Sequence, residues 1–291
     1  MEKINNLIKQ FVVERPEDTI DKDKDYKKDG LWYCGKCNKK KEHYVKIGYD
    51  DNTGEDINMI GIVLCDCEKE LKSKKDKAFK MQRKQTRLEQ LRKQGLRSRH
   101  DLSKNFKMDD NKDSNESKIA RNYVKHFDYM LENNTGLFLY GDVGTGKTFY
   151  ALCIANALIN QGRSVYFTTL SEQVEKLSGF DKVNNRLALD KIRSTDLLIL
   201  DDVGTERDTE FANEKIFEVL DAREQARKPI IATSNLAPND FKDENNSFNN
   251  KIYDRLLVLA TVPIRLTGAS RREKEKEASA RQAVDLLLDF D

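Results

Sequence analysis

Residues 141–148 read Gly-Asp-Val-Gly-Thr-Gly-Lys-Thr, a spacing that suits the capture of phosphate. The glycines let the backbone curl so that successive N–H groups point at phosphate oxygens. A helix starting near Thr148 adds the positive end of its dipole. Lys147 would reach the β and γ phosphates, and the Thr148 hydroxyl would sit on Mg²⁺. The candidate cradle is therefore Gly141, Asp142, Val143, Gly144, Thr145, Gly146, Lys147 and Thr148, with Phe149 next on the helix. Downstream, Leu-Leu-Ile-Leu-Asp-Asp-Val-Gly (197–204) ends an apolar run in two acids. Asp201 at that tip is the candidate to hold Mg²⁺ through its water shell, and Asp202 to polarise an attacking water. Aspartate is shorter than the glutamate of many ATPases, which implies slow hydrolysis. Asn235 closes the next apolar run and can orient water or touch the γ-phosphate, although Asn also opens many turns. Arg255 could stabilise charge on a transferring phosphoryl group from a neighbouring subunit, or be a surface arginine paired with a carboxylate. In Gly-Ala-Ser-Arg-Arg (268–272), one arginine could contact phosphate in cis.

A second chemistry lies near the N-terminus. Cys34 and Cys37 are followed after 27 residues by Cys65 and Cys67. Two such pairs suit one tetrahedral Zn²⁺, with Gly35 easing the first turn; Cys-x-Cys is tighter than the usual Cys-x-x-Cys. His43 is a substitute ligand or a surface residue. Four reduced thiols are the competing reading. A stretch this poor in apolar side chains needs a staple, and metal binding supplies one. Cys153, on the helix after the phosphate loop, reads as a packed core residue.

The elements that must position these groups follow from hydrophobic patterning. Residues 136–140, 164–170, 196–204, 229–236 and 262–268 are short apolar runs, separated by helical stretches. Strands alternating with helices imply a five-stranded parallel sheet covered on both faces, an α/β fold. Ile4, Leu7, Ile8 and Phe11 suggest a short N-terminal helix, and 109–117 reads as a polar loop between modules. Residues 69–100 hold 13 Lys and Arg against 3 Asp and Glu, a balance of +10 within a chain whose net charge is +2. Such a block points to a polyanion or an acidic protein surface, or is simply a solvated helix. With 38% hydrophobic and 35% charged residues, no run approaches the roughly 18–20 apolar residues of a membrane helix. The N-terminus lacks the layout of a signal peptide, so the cytoplasm is the expected compartment and no membrane is expected as a partner. The expected organisation is a zinc domain over 1–68, a basic helical linker over 69–108 and an ATPase domain over 109–291.

Taken in order, the phosphate loop, Leu-Leu-Ile-Leu-Asp-Asp-Val-Gly, Ile-Ile-Ala-Thr-Ser-Asn-Leu, Tyr-Asp-Arg-Leu and Gly-Ala-Ser-Arg-Arg resemble the AAA+ ATPase domain of DnaC/DnaI-type replicative helicase loaders, to which the transposition helper IstB is related. The resemblance spans roughly Gly95 to Arg272, with Asn-Phe-Lys-Met-Asp-Asp (105–110) similar to the family's lead-in to its pocket. It implies binding of Mg-ATP, modest hydrolysis stimulated by DNA or assembly, and Arg255 as a finger acting across a subunit interface. It also implies a sensor arginine at Arg272, with Arg271 competing. The cysteine set is similar to the N-terminal zinc-binding domain of the DnaI-like and phage branch, which in that family contacts the helicase. The expected partners are thus a hexameric replicative helicase, single-stranded DNA and further copies of the chain. The competing functions are an IstB-like transposition helper on duplex DNA and a helicase-sequestering regulator with a structural nucleotide. A small-molecule kinase fits less well, because no second substrate pocket is evident.

Overall fold

The computed structural model describes residues 20–21, 23–50, 53–179, 181–241, 247–268 and 270, with six further positions between 280 and 288. The expected N-terminal helix and both candidate sensor arginines, Arg271 and Arg272, lie outside the described residues. The chain divides into two compact units, Met1–Lys84 and Gln85–Asp291.

In the first unit, β1 (Tyr26–Lys28) and β2 (Leu31–Tyr33) form a tight antiparallel hairpin. Asp29 and Gly30 turn it with φ of 52° and 77°. That is the mirror-image turn whose twist matches paired strands. A longer ribbon follows, β3 (Glu42–Asp50) against β4 (Glu55–Ile62). Its Tyr44, Ile47, Tyr49, Ile57 and Ile60 are exposed. Lys41 is buried and its ammonium is paired with Asp25 at 2.5 Å and Glu68 at 2.9 Å. Helix α1 (Asp66–Gly95) then carries the chain into the second unit.

The second unit begins with a short helix, α2 (Arg99–Ser103), followed by α3 (Asn115–Lys125) and α4 (Phe127–Glu132). The remainder alternates as the sequence implies: β5 (Leu137–Tyr140), α5 (Lys147–Asn160), β6 (Val165–Thr168), α6 (Leu170–Leu177), α7 (Lys182–Ser194), β7 (Leu197–Val203), α8 (Glu210–Gln225), β8 (Ile230–Ser234), α9 (Ser247–Leu259) and β9 (Val262–Arg265). The five strands are parallel in the order β6-β7-β8-β5-β9. This is the sheet of the AAA+ P-loop fold, with helices on both faces.

Alternation along each strand splits the core in two. Leu137, Leu139, Leu197 and Ile199 join Tyr123, Phe127, Ile154 and Leu158 on one face. Phe138, Leu198 and Leu200 join Val219, Leu220 and Leu256 on the other. Because both faces are covered, the strands read as unbroken apolar runs. Helix α5 is apolar nearly all round and buried along most of its length, as a central helix must be.

At the end of the sheet where the chain enters β7 and β8, Arg223 of α8 is fully buried. It donates to the carbonyls of Ile192, Thr195, Asp196 and Pro229 at 2.7–2.9 Å. It thereby satisfies the last carbonyls of α7 and the loops that enter β7 and β8. Burial lowers its pKa to about 9.

The polar stretch at 109–117, which reads as an inter-module loop, belongs to the second unit. Asp109 is buried, accepting from Ser117 Oγ at 2.5 Å and Tyr150 OH at 3.3 Å. Residues from Asn115 onward are helical. Composition misleads here because buried hydrogen bonds, not apolar contacts, hold this segment.

Candidate functional site

The phosphate loop joins β5 to α5, as its spacing implies. Gly141 has φ of 142°, and a Cβ there would stand 2.2 Å from the Leu266 carbonyl, so only glycine fits. Gly146, at φ 99°, caps α5. The Lys147 ammonium donates to the carbonyls of Gly141 and Asp142 at 2.7 and 2.8 Å, which holds the charge over the loop. Thr145 Oγ1 donates to the Asp142 carbonyl at 2.9 Å and closes the turn.

Asp201 follows the apolar run of β7 and is itself buried. Its Oδ1 accepts from Thr148 Oγ1 at 2.9 Å and from Thr233 Oγ1 at 2.7 Å. The acid and the hydroxyl expected to share a magnesium ion are thus neighbours, brought together across 53 residues of sequence. A cation with oxygen ligands and retained waters fits this donor set. Thr233 also accepts from the Asp202 amide at 2.9 Å and so fixes both acids.

Asp202 is exposed, with φ of 60° where the β7–β8 register shifts. Left-handed backbone at a non-glycine residue is costly, though aspartate bears it better than most. Both acids line the same cavity, Asp201 buried and Asp202 exposed. Asn235 Nδ2 lies 3.4 Å from Asp202 Oδ1, so these two candidate residues meet at the strand ends.

A cavity of about 390 Å³ is lined by the loop residues Val143, Gly144, Gly146, Lys147, Thr148 and Phe149 and by Asp201, Asp202, Thr233 and Asn235. Ser270 reaches the loop from the other side: a Cβ on Gly144 would meet its Oγ at 2.2 Å. Arg255 does not line the cavity. Its guanidinium is paired with Asp221 and Glu224 of α8, both at 2.9 Å, and lies 4.3 Å over the Phe217 ring. Cys153 is fully buried on α5.

Sequence reasoning missed the other wall of this cavity, which comes from Arg97, His100, Asp101 and Lys104. No motif marks them, since they lie roughly 40 residues before the phosphate loop and become its neighbours only through packing. Asn156 of α5 donates to the carbonyls of Asp101 and Lys104, both at 2.8 Å, and holds this segment in place. Thr233 was missed as well, hidden within a β-branched strand run.

In the first unit, Cys34, Cys37, Cys65 and Cys67 place their sulfur atoms within 4.8 Å of one another. A tetrahedral zinc thiolate site needs sulfurs about 3.8 Å apart, from bonds of about 2.3 Å, so the set fits with slight closure. Each pair is held by local backbone. The Cys34 amide donates to Lys39 O, the Asn38 amide donates to Cys34 O, and Cys65 precedes α1 with its amide donating to Glu68. Hydrogen bonds, first from the Lys39 amide, lower the Cys37 thiol to about 6, whereas burial pushes Cys65 up to about 12. His43 lies outside the cluster, exposed on β3.

The replicative helicase loader DnaI of Bacillus subtilis (strain 168) is 31% identical over 148 residues, 47% of this chain and 47% of that protein. The replicative helicase loader DnaC of Escherichia coli (strain K12) is 24% identical over 189 residues, 63% of this chain and 72% of that protein. The chain therefore spans about half the length of the Bacillus relative. A solved structure, described as the crystal structure of the DnaI, is similar with a TM-score of 0.50 and 25% identity, over 60% of this chain and 94% of that one. Among the described residues no helix is long and apolar enough to cross a membrane. Residues 67–279, most of the chain and all of its sheet, match the family described as IstB-like ATP binding protein, and the chain belongs to that family.

Proposed function

We propose that this chain is an ATP-dependent loader that binds a hexameric replicative DNA helicase and delivers it onto single-stranded DNA. The observation that carries the reading is Thr148 and Asp201, hydrogen-bonded beside a complete phosphate loop, in a chain similar to two replicative helicase loaders. Lys147 neutralises the β and γ phosphates of ATP, while Thr148 and Asp201 hold Mg²⁺, whose charge offsets that of the phosphates when bound. Asp202, steadied by Asn235, receives the proton of the attacking water. Its exposure and short side chain favour slow turnover.

Arg255 acts on a neighbouring subunit's nucleotide, so hydrolysis depends on assembly into an oligomer. To act there it must leave Asp221 and Glu224, and its pairing with them equally suits the competing reading of a surface arginine held by carboxylates. Arg272, or its neighbour Arg271, contacts phosphate in cis. The zinc-bound first unit grips the helicase. Its exposed apolar ribbon favours that assignment, since contiguous exposed apolar surface marks interaction sites. The basic face of α1 serves DNA or helicase, and the protein works in the cytoplasm.

The test is co-purification of the full chain with candidate replicative helicases, with and without ATP. Retention of a helicase supports the reading. Binding to no helicase together with tight binding of duplex DNA would replace it with the IstB-like transposition reading, which the family match favours. ATP turnover stimulated by single-stranded DNA and lost in Lys147→Ala would exclude a regulator with a purely structural nucleotide.

A further inference from the structure

Arg97 follows α1 by two residues, and its guanidinium forms part of the wall of the phosphate cavity. It faces three carboxylates: Asp201 Oδ2 at 3.4 Å, Glu172 Oε1 at 3.3 Å and Asp101 Oδ2 at 3.9 Å. Its plane lies 4.6 Å over the Phe167 ring, and the side chain is about one-third exposed. All three contacts are longer than the roughly 2.7–2.9 Å of a strong charge-assisted hydrogen bond. The charge is held at the site by several weak partners and committed to none.

The backbone beneath it is fixed. The amides of Arg97 and Ser98 donate to Asp101 Oδ2, and Ser98 Oγ accepts from the Asp101 amide, a capping box that starts α2. Leu96 is in the core, and at Gly95 a Cβ would meet the Val165 carbonyl at 2.3 Å. The reach of Arg97 is therefore a property of its side chain on a rigid mount.

We propose that Arg97 is the specificity-determining residue that distinguishes ATP from ADP in this cavity. The inference rests on the nucleotide reading above and deepens it. Asp201 Oδ1 is engaged by Thr148 and Thr233, while its Oδ2 faces Arg97. The guanidinium thus stands on the metal side of the loop, where the β and γ phosphates converge. A terminal phosphate offers a planar fork two oxygens and more charge than any of its three carboxylates. ADP lacks that group and leaves Arg97 with Glu172 and Asp101. The residue that senses the difference sits at the end of α1, so the basic helix is attached directly to the reading of nucleotide state.

The test is equilibrium binding of fluorescent ATP and ADP analogues, with Mg²⁺, to the full chain. In Arg97→Ala the ATP affinity should fall about ten- to a hundredfold, the worth of a hydrogen bond to a charged group, while ADP affinity changes little. Arg97→Lys should retain part of the preference. Glu172→Gln, which weakens a competing partner, should shift the ratio toward ATP, and this variant serves even if Arg97→Ala does not fold. An unchanged ratio in these variants, or ATP and ADP affinities falling together in Arg97→Ala, overturns the proposal. Wild-type protein that binds neither nucleotide would remove the nucleotide reading itself, whereas an unchanged ratio with both affinities lost in Lys147→Ala removes only the role of Arg97.

Discussion

Side chains at this site are held by partners of two kinds, and substitutions should separate them. Lys147 is buried over loop carbonyls in a place suited to phosphate, so Lys147→Ala should abolish nucleotide binding with little loss of thermal stability. Isothermal calorimetry and a melting curve on the same sample check both halves. Arg223 is the opposite case. It lies far from the cavity, and four carbonyls accept its hydrogen bonds in the interior. Arg223→Met leaves those carbonyls buried without donors and should cost about 3–5 kcal/mol of folding free energy, measured by urea denaturation. A nucleotide affinity that dropped while stability held would show that Arg223 belongs to the site instead.

At the scale of elements, the second unit clamps the last turns of α1. Arg92 donates to Asn160 at 2.8 Å, Lys191 donates to the Gln94 carbonyl at 2.8 Å, and Gly95 packs against β6. Gly95→Val forces a side chain into the Val165 carbonyl, which cannot retreat without disturbing the sheet. It should destabilise the second unit by about 1–3 kcal/mol and weaken the contact of Arg97 with the cavity. Urea denaturation and the ATP-to-ADP affinity ratio check the two effects. Earlier in α1, between Lys72 and Lys93, the basic side chains are mostly exposed and free to meet a polyanion. If that face binds single-stranded DNA, affinity should fall steeply and log-linearly with salt, and each Lys→Glu change should reduce the slope. Unchanged DNA and helicase binding after several such changes would leave the helix as a solvated connector.

For the whole molecule, the two units draw stability from different sources. The second has a two-faced apolar core, whereas the first, among its described residues, buries few large side chains and gathers four cysteines around one point. Chelation of metal should therefore unfold the first unit and leave the second cooperative. Circular dichroism melts with and without chelator should show one transition lost and the other unmoved. A single unchanged transition would mean that the thiols are structural without metal.

The parallel sheet, the phosphate loop, Asp201 and the cysteine pairs were all legible in the sequence, because each depends on local spacing. An apolar run before a glycine loop forces a strand and turn, and Cys-x-x-Cys brings its own sulfurs together. What local spacing does not encode, tertiary structure decided. It set both Asp201 and Asp202 on the wall of one cavity where the strand register shifts, seated Arg255 against α8 outside its own cavity and drew 109–117 into the core unit through Asp109. It also set Arg97 against Asp201 across 104 residues of chain. Such contacts between distant segments exist only once the helices have packed on the sheet, and no periodicity along the chain records them.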